Sequence, residues 1–428
     1  MRMPKIASVH ARQILDSRGN PTVEVDVALD DGAAGRASIP SGASTGTHEA
    51  VELRDQDQST YLGKGVLRAV EHVNTEIADF LRNNDPDDQE MIDSEMILRD
   101  GTRDAGRLGA NAILGVSLAV SKAVAASRKL PYYRYVRELY ERVSGSHLTT
   151  WSLPRPMFNV LNGGAHTDWQ TTDIQEFMII PLRSGTFAEQ LRWGAEIYHH
   201  LEKILEKQGY GTTVGDEGGF APKVKNDEEA LQLLHMAVEA AGYQPGKDVA
   251  FGLDAATSAM FHPDREKPYH LSVQKKDFST SELVEQWVEW TSKYPIISLE
   301  DGLAEDDWAG WTQLANRLGN GLQLVGDDLL VTNLERIHKA AELKACNSLL
   351  MKVNQIGTLT ESLQAIAAAK DQGWTVVVSH RSGETEDSSI ADIVVGTQAG
   401  QIKAGAPARS ERLAKYNQLL RIEEELMK

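Results

Sequence analysis

The chain has 428 residues, a formal net charge of -18, 41% hydrophobic and 25% charged residues, which suits a globular protein of two domains or of one large domain with an addition. So acidic a chain excludes nucleic acid or an anionic membrane as the main partner, since both demand a basic surface, but an anionic small molecule can still bind in a local basic pocket. No apolar run approaches the roughly 20 residues of a membrane span, the N-terminal MRMPKIASVHARQIL lacks the apolar core of a signal peptide, and the single Cys346 reads as a buried thiol, so a reduced, cytoplasmic setting is expected.

In chain order, IASVHARQIL and PTVEVDVAL alternate with period two and predict strands, with DDGAAG as a hairpin turn before RASIP. SGASTG, residues 41 to 46, is rich in Gly and Ser and reads as a linker, a turn or a lid; Ser44 is its central hydroxyl. GVLRAVEHVNTEIADFLRN and NAILGVSLAVSKAVAASRKL carry helical patterns. Residues 1–140 thus predict a smaller N-terminal α+β domain. ELYERVSGSHLTTWSLPRP has no period and reads as a linker.

From 141 to 428 the rhythm changes. PMFNVLNGG and EFMIIP read as strands, followed by VAFGLD, IISLE, LQLVGD, SLLMK, TVVVSH and DIVVG. Helical stretches such as WAGWTQLANRL and LTESLQAIAAAKDQG separate the later ones. Strand and helix alternating at about 25 residues is the mark of a parallel α/β sheet. Eight strands in this length predict a closed, TIM-like α/β barrel.

The strand ends are polar. VAFGLD ends in Asp254, IISLE in Glu300, LQLVGD in Asp327 and SLLMK in Lys352, and TVVVS runs into His380 and Arg381. In a barrel these ends share one rim, where such folds keep their active sites. A single acid at a strand end is usually a cap or a solvated loop residue; a whole series is not. Three carboxylates without Cys or an obligatory His suit a hard cation, Mg²⁺ or Mn²⁺ rather than zinc. Without a cation they would raise one another's pKa. Lys352 beside a metal held by such a cluster, with a further cation such as Lys403 on the other side, is pushed towards the neutral amine, which can act as a general base. That combination suggests removal of a proton α to a carboxylate, with the charge of the enediolate met by cations fixed beforehand. The glycine-flanked loop VGDEGGFAP offers Glu217 as the acid for a leaving group or, alone, a solvated turn. Arg381, Ser382 and Lys403 supply donors suited to phosphate. His166 in NGGAHTD has the same ambiguity as the lid, and the YHH at Tyr198–His200 reads as part of an amphipathic helix.

SGASTGTHEA, NVLNGGAH, DIQEFMIIP, GDEGGFAP, LEDGLAEDDW, VGDDLLVTN, LMKVNQIGT, SHRSGETEDS and GQIKAGAPARSERLAKYNQLLRIEEEL together resemble the enolase family along essentially the whole chain. The resemblance implies a hydro-lyase that interconverts 2-phosphoglycerate and phosphoenolpyruvate, a glycolytic enzyme assembled as a homodimer or octamer. It also implies two Mg²⁺ per active site, a lysine base being the known chemistry of such sites. Carried over motif by motif, Lys352 would be the base and Glu217 the acid. Asp254, Glu300 and Asp327 would hold the first Mg²⁺, and Ser44 would reach the second. Arg381 and Ser382 would hold the phosphate and Lys403 the carboxylate end, with His166, Gln175, Glu176 and His380 completing the pocket. The chain departs from the family pattern in three places: HTDWQTTDIQE is one residue longer, Gly302 replaces a usual proline, and AATSAM lacks a usual acid. A related acid-sugar dehydratase or racemase need not bind phosphate, so Arg381 with Ser382 speaks against it. A non-enzymatic relative would be expected to have lost one of the acids or Lys352.

Overall fold

Period-two alternation becomes three antiparallel strands: β1 (Ile6–Leu15), β2 (Pro21–Leu29) and β3 (Ala34–Ser38), in that order. Val23, Val25, Val27 and Leu29 of β2 are buried, as one face of a half-covered sheet requires. The computed structural model describes residues 4–42, 46–82, 84–183 and 185–428; Ser44 lies outside the described residues. The chain forms two units. The first holds Met1–Ser152, Met351–Ala367 and His380–Gln398; the second holds Leu153–Leu350, Ala368–Ser379 and Ala399–Lys428.

In the first unit the helix Ala110–Ser127 covers the sheet. It comes so close that a Cβ on Gly35 of β3 would overlap the carbonyl oxygen of Ala119. This helix is long and apolar enough to cross a membrane. Fifteen of its eighteen residues are buried in the unit, however, which is how a core helix earns the same composition. The helix expected after residue 65 forms as Leu67–His72, a π-helical turn Val73–Ile77 and Ala78–Leu81. In that wider turn Asn74 accepts from the Ala11 N–H at 2.7 Å and donates to its carbonyl at 3.0 Å. Both free backbone groups of Ala11 on the edge strand β1 are thereby satisfied. The expected linker begins later than its composition suggested. The helix Tyr132–Ser144 takes in ELYERVS and ends on Gly145, whose φ of 66° is the left-handed cap glycine favours.

Ten more strands follow among the described residues: β4 (Arg155–Asn162), β5 (Glu176–Pro181), β6 (Val249–Asp254), β7 (Tyr269–Leu271), β8 (Lys276–Phe278), β9 (Ile296–Glu300), β10 (Gln323–Gly326), β11 (Ser348–Met351), β12 (Thr375–Ser379) and β13 (Gly400–Lys403). β7 and β8 are a small antiparallel ribbon. The other eight close a barrel in the order β10-β11-β12-β13-β4-β5-β6-β9.

Two expectations are corrected. DIVVG is not a strand. It lies in the helix Ser389–Gly396 of the first unit, buried at every residue, with Arg137 donating to the Gly396 carbonyl at 2.7 Å. A short apolar run suits a buried helix as well as a buried strand. The eighth barrel strand is GQIK, β13, half polar and so inconspicuous. Nor is the sheet wholly parallel, because β5 runs antiparallel to both β4 and β6. The loop from β4 to β5 has no crossover helix, and parallel neighbours need one.

The barrel interior is layered. At its floor Gln323 Nε2 donates to Ser348 Oγ, Thr375 Oγ1 and Gln401 Oε1, at 2.9, 2.9 and 2.6 Å. Above lie Met157, Met178, Ile180, Val325, Leu350 and Val377, all fully buried. The opposite rim carries the ionisable side chains.

Candidate active site

Strand register decides which of those side chains meet. Asp254 ends β6 opposite Glu300, which ends β9. Because β5 is reversed, Glu176 at its start pairs with Asp254 on one side and Asn162 on the other. Glu176 therefore joins the rim from the first position of a strand, where a search of strand ends would miss it. Lys403 ends β13 and is buried. Its Nζ donates to Glu300 Oε1 and Oε2 at 2.7 and 2.9 Å, to Asp254 Oδ2 at 3.1 Å and to Glu176 Oε1 at 3.2 Å. The sequence-derived Lys403 is thus in the site, and its charge faces carboxylates.

Glu217 is held on the loop after β5 and its helix. Asn159 Nδ2 of β4 donates to its Oε2 at 2.9 Å, and His166 Nε2 lies 3.7 Å from its Oε1. Asn162 pairs with His166 Nδ1 at 3.3 Å. One atom each of His166, Glu176 and Glu217 lie within 4.8 Å of one another. The loop backbone is clamped from several directions. Tyr198 Oη donates to the Gly218 carbonyl at 2.7 Å and stacks on Phe220 with ring centroids 4.4 Å apart. The Ala406 N–H donates to the Glu217 carbonyl at 2.9 Å, and Arg412 to that of Asp216 at 3.0 Å. Asn159 and Arg412 were given no role of their own in the sequence, and Tyr198 was read only as part of an amphipathic helix. Asn159 had a signal, an amide inside an otherwise apolar strand; Tyr198, on a half-polar helix, had none.

The longer loop between β4 and β5 is built in. A Cβ on Gly163 would overlap Thr172 Oγ1, so only glycine fits there. The Gly163 N–H donates to the Gln175 carbonyl at 2.8 Å, and the Gln175 N–H to the Asp254 carbonyl at 3.0 Å. Asp227 at the start of the helix Asp227–Ala240 accepts from the N–H of Asp173 at 2.7 Å and from Gln274 Nε2 at 2.6 Å. Asp173 in turn accepts from the N–H groups of Val273 and Gln274.

The electrostatics of this rim suit a cation. Burial pushes the Glu300 carboxyl well above its usual range, and the charges of Asp254 and Asp327 add to the rise. Burial and then Glu217 do the same to Glu176. Lys403 is held protonated, well above the ordinary lysine range: burial opposes this, but Asp254, Glu176, Glu300 and Glu217 outweigh it. One ammonium among Glu176, Glu217, Asp254, Glu300 and Asp327 leaves an excess of negative charge. Glu176 Oε2 is buried and has no hydrogen-bond partner among the described residues, and a buried lone pair without a donor is costly. An all-oxygen donor set of this kind fits a hard divalent cation. Asp327 also lies within 4.8 Å of Asp301 and Asp328.

Lys352, His380, Arg381 and Ser382 belong to the first unit. Lys352 directly follows Met351, the last residue of β11, and caps the short helix Val353–Ile356 with extended backbone. His380, Arg381 and Ser382 directly follow β12 and are buried. Arg381 is held as a fork. Its Nη1 and Nη2 donate to Glu49 Oε2 and Oε1 at 2.8 and 3.2 Å, and Nη1 donates to Asn354 Oδ1 at 2.9 Å. Glu49 also accepts from the Gly46 N–H at 3.0 Å. A guanidinium fork that grips one carboxylate this way has the geometry for a phosphate.

Two family models match the chain. The N-terminal domain of enolase matches residues 6–136, and the C-terminal TIM barrel domain of enolase matches residues 150–428.

Proposed function

The chain belongs to the enolase family, and from that premise we propose that it interconverts 2-phosphoglycerate and phosphoenolpyruvate, as a Mg²⁺-dependent hydro-lyase. In the forward direction Lys352 takes the proton from C2. The electrons of that C–H bond form the C2–C3 double bond, and the C3–O bond breaks. Glu217 gives its proton to the departing hydroxyl, which leaves as water. In the reverse direction each group plays the opposite part.

Asp254, Glu300 and Asp327 would hold one Mg²⁺ and Ser44 would reach the second; the ions would neutralise the substrate's carboxylate and phosphate and so acidify the C2 proton. Lys403 adds a fixed positive charge for the carboxylate end. Arg381 and Ser382 bind the phosphate. Gln175 and His380 would contact the substrate, while Glu176 and His166 lie beside Glu217. The same reading puts the enzyme in the cytoplasm, in glycolysis and gluconeogenesis, as a homodimer or octamer.

The observation that carries this reading is the rim itself: Glu176, Asp254, Glu300 and Lys403 in register, with Glu217 beside them. Adding 2-phosphoglycerate to the purified chain with Mg²⁺ should make the absorbance of phosphoenolpyruvate grow, and excess chelator should stop it. Full turnover in chelator, or none with Mg²⁺, would overturn the proposal.

A further inference from the structure

Asp301 follows Glu300 at the end of β9 and has no part in the chemistry above. Its backbone is left-handed, with φ 42°, a region unfavourable to any residue with a Cβ and tolerated best by Asn and Asp. Its side chain is buried. Oδ1 accepts from the N–H of Asp327 at 3.0 Å, and Oδ2 from the N–H of Asp328 at 2.8 Å. Its own N–H donates to the Val325 carbonyl at 3.0 Å. Its carbonyl accepts from Thr257 twice, from the N–H at 3.3 Å and from Oγ1 at 2.8 Å. Asp301 is therefore joined to the three segments that carry Asp254, Glu300 and Asp327. It is bonded covalently to Glu300, through its side chain to Asp327, and through its carbonyl to the turn after Asp254.

A purely structural need would not select this residue. β10 ends at Gly326, so the next two N–H groups require acceptors. A neutral side chain could serve one of them and a water the other. The Asp301 carboxylate adds negative charge beside Asp327 and Asp328, the three lying within 4.8 Å of one another, and a buried charge among like charges is costly unless a cation balances it. What it gains is tighter hold on both amides, because charge-assisted hydrogen bonds are shorter and stronger than neutral ones.

We propose that Asp301 is a positioning residue for the divalent cation. Its carboxylate fixes the backbone at Asp327 and Asp328, and its carbonyl fixes the turn after Asp254, so that carboxylates from three strands arrive in one geometry. The inference rests on the reading of Asp254, Glu300 and Asp327 as cation ligands.

The test is Asp301→Asn in the full chain. Asn keeps the size and the left-handed backbone, but its Nδ2 meets an N–H with a donor and loses one of the two bonds. Titration of the metal-stripped protein with Mn²⁺, followed by electron paramagnetic resonance, should show a Kd weakened roughly 10- to 100-fold, the usual effect of losing an outer partner of a metal ligand. Turnover should recover at saturating Mg²⁺. A residue serving stability alone would lower the melting temperature and leave the Kd unmoved, and that result, or a wild-type Kd, overturns the proposal. Should the variant fail to fold by circular dichroism, the wild type decides. In the metal-stripped protein the amides of Asp327 and Asp328 should exchange with solvent as slowly as those of β10, and fast exchange refutes the role of Asp301. Failure of the wild type itself to bind Mn²⁺ or form phosphoenolpyruvate removes the functional reading first, and this inference with it.

Discussion

On the proposed reading two residues divide the proton work, Lys352 as base and Glu217 as acid. Lys352 follows a barrel strand, while Glu217 sits on a clamped loop with Asn159 donating to it at 2.9 Å. If proton removal and hydroxyl departure are separate events, the two variants fail differently. Lys352→Ala should lose both dehydration and exchange of the C2 proton with D₂O. Glu217→Gln should lose dehydration but keep exchange, because the base and the cation ligands remain. Each loss should reach roughly 10² to 10⁴-fold. Proton NMR of 2-phosphoglycerate in D₂O reads both. Exchange surviving in Lys352→Ala but lost in Glu217→Gln would reverse the roles. At this scale the charged residues were legible because a lysine or three acids at strand ends stand out against apolar runs. Their supports were not. Asn159, Tyr198 and Asp301 act through contacts with residues distant in sequence, and only Asn159, an amide inside an apolar strand, carried a local mark.

Between elements, the β4–β5 loop is secured by a buried pair of acids. Burial and the neighbouring charge of Asp173 push Asp227 up to about 7, against a usual value near 4 in an unfolded chain. Between about pH 4 and pH 7 the folded protein therefore holds a proton that the unfolded chain has released, and stability falls as pH rises through that window. Asp227→Asn cannot titrate. It keeps one acceptor for the Asp173 N–H, and Gln274 can turn its amide over to meet the new donor. The melting temperature of the wild type should fall, relative to that of Asp227→Asn, between about pH 5 and pH 7, with a total effect on the order of a few kcal/mol. Parallel pH profiles for the two proteins would show that Asp227 does not titrate in this range. Element type was legible wherever a period ran long, as in β1, β2 and the helix Ala110–Ser127. It failed for five residues of DIVVG, where no period can form, and for GQIK, whose polar residues hide a strand with one end in the floor and the other at the rim. The reversal of β5 could have been read from the missing crossover helix.

For the molecule as a whole, the excess of acids poses a choice between two effects of added salt. A net charge of -18 destabilises any compact state by self-repulsion, and all cations relieve it by screening. On the proposed reading the rim makes a narrower demand: Glu300 and Glu176, raised by burial and by their acidic neighbours, take part in holding one cation at one place. A ligand that binds only the folded state stabilises it by about 2.7 kcal/mol at 100 times its Kd, which for a protein of this size means a rise of several degrees. Mg²⁺ should therefore raise the melting temperature in proportion to the logarithm of its concentration once above the Kd, and chelator should remove the gain. NaCl at matched ionic strength should reproduce little of it, since screening does not recognise the rim. Glu300→Gln should lose most of the Mg²⁺ response while keeping the response to NaCl, because it changes one ligand and barely changes the net charge. Scanning calorimetry of both proteins across both salts separates the effects. Equal shifts with NaCl and Mg²⁺ would mean that the carboxylate rim is answering to the charge of the whole chain and not to a bound ion.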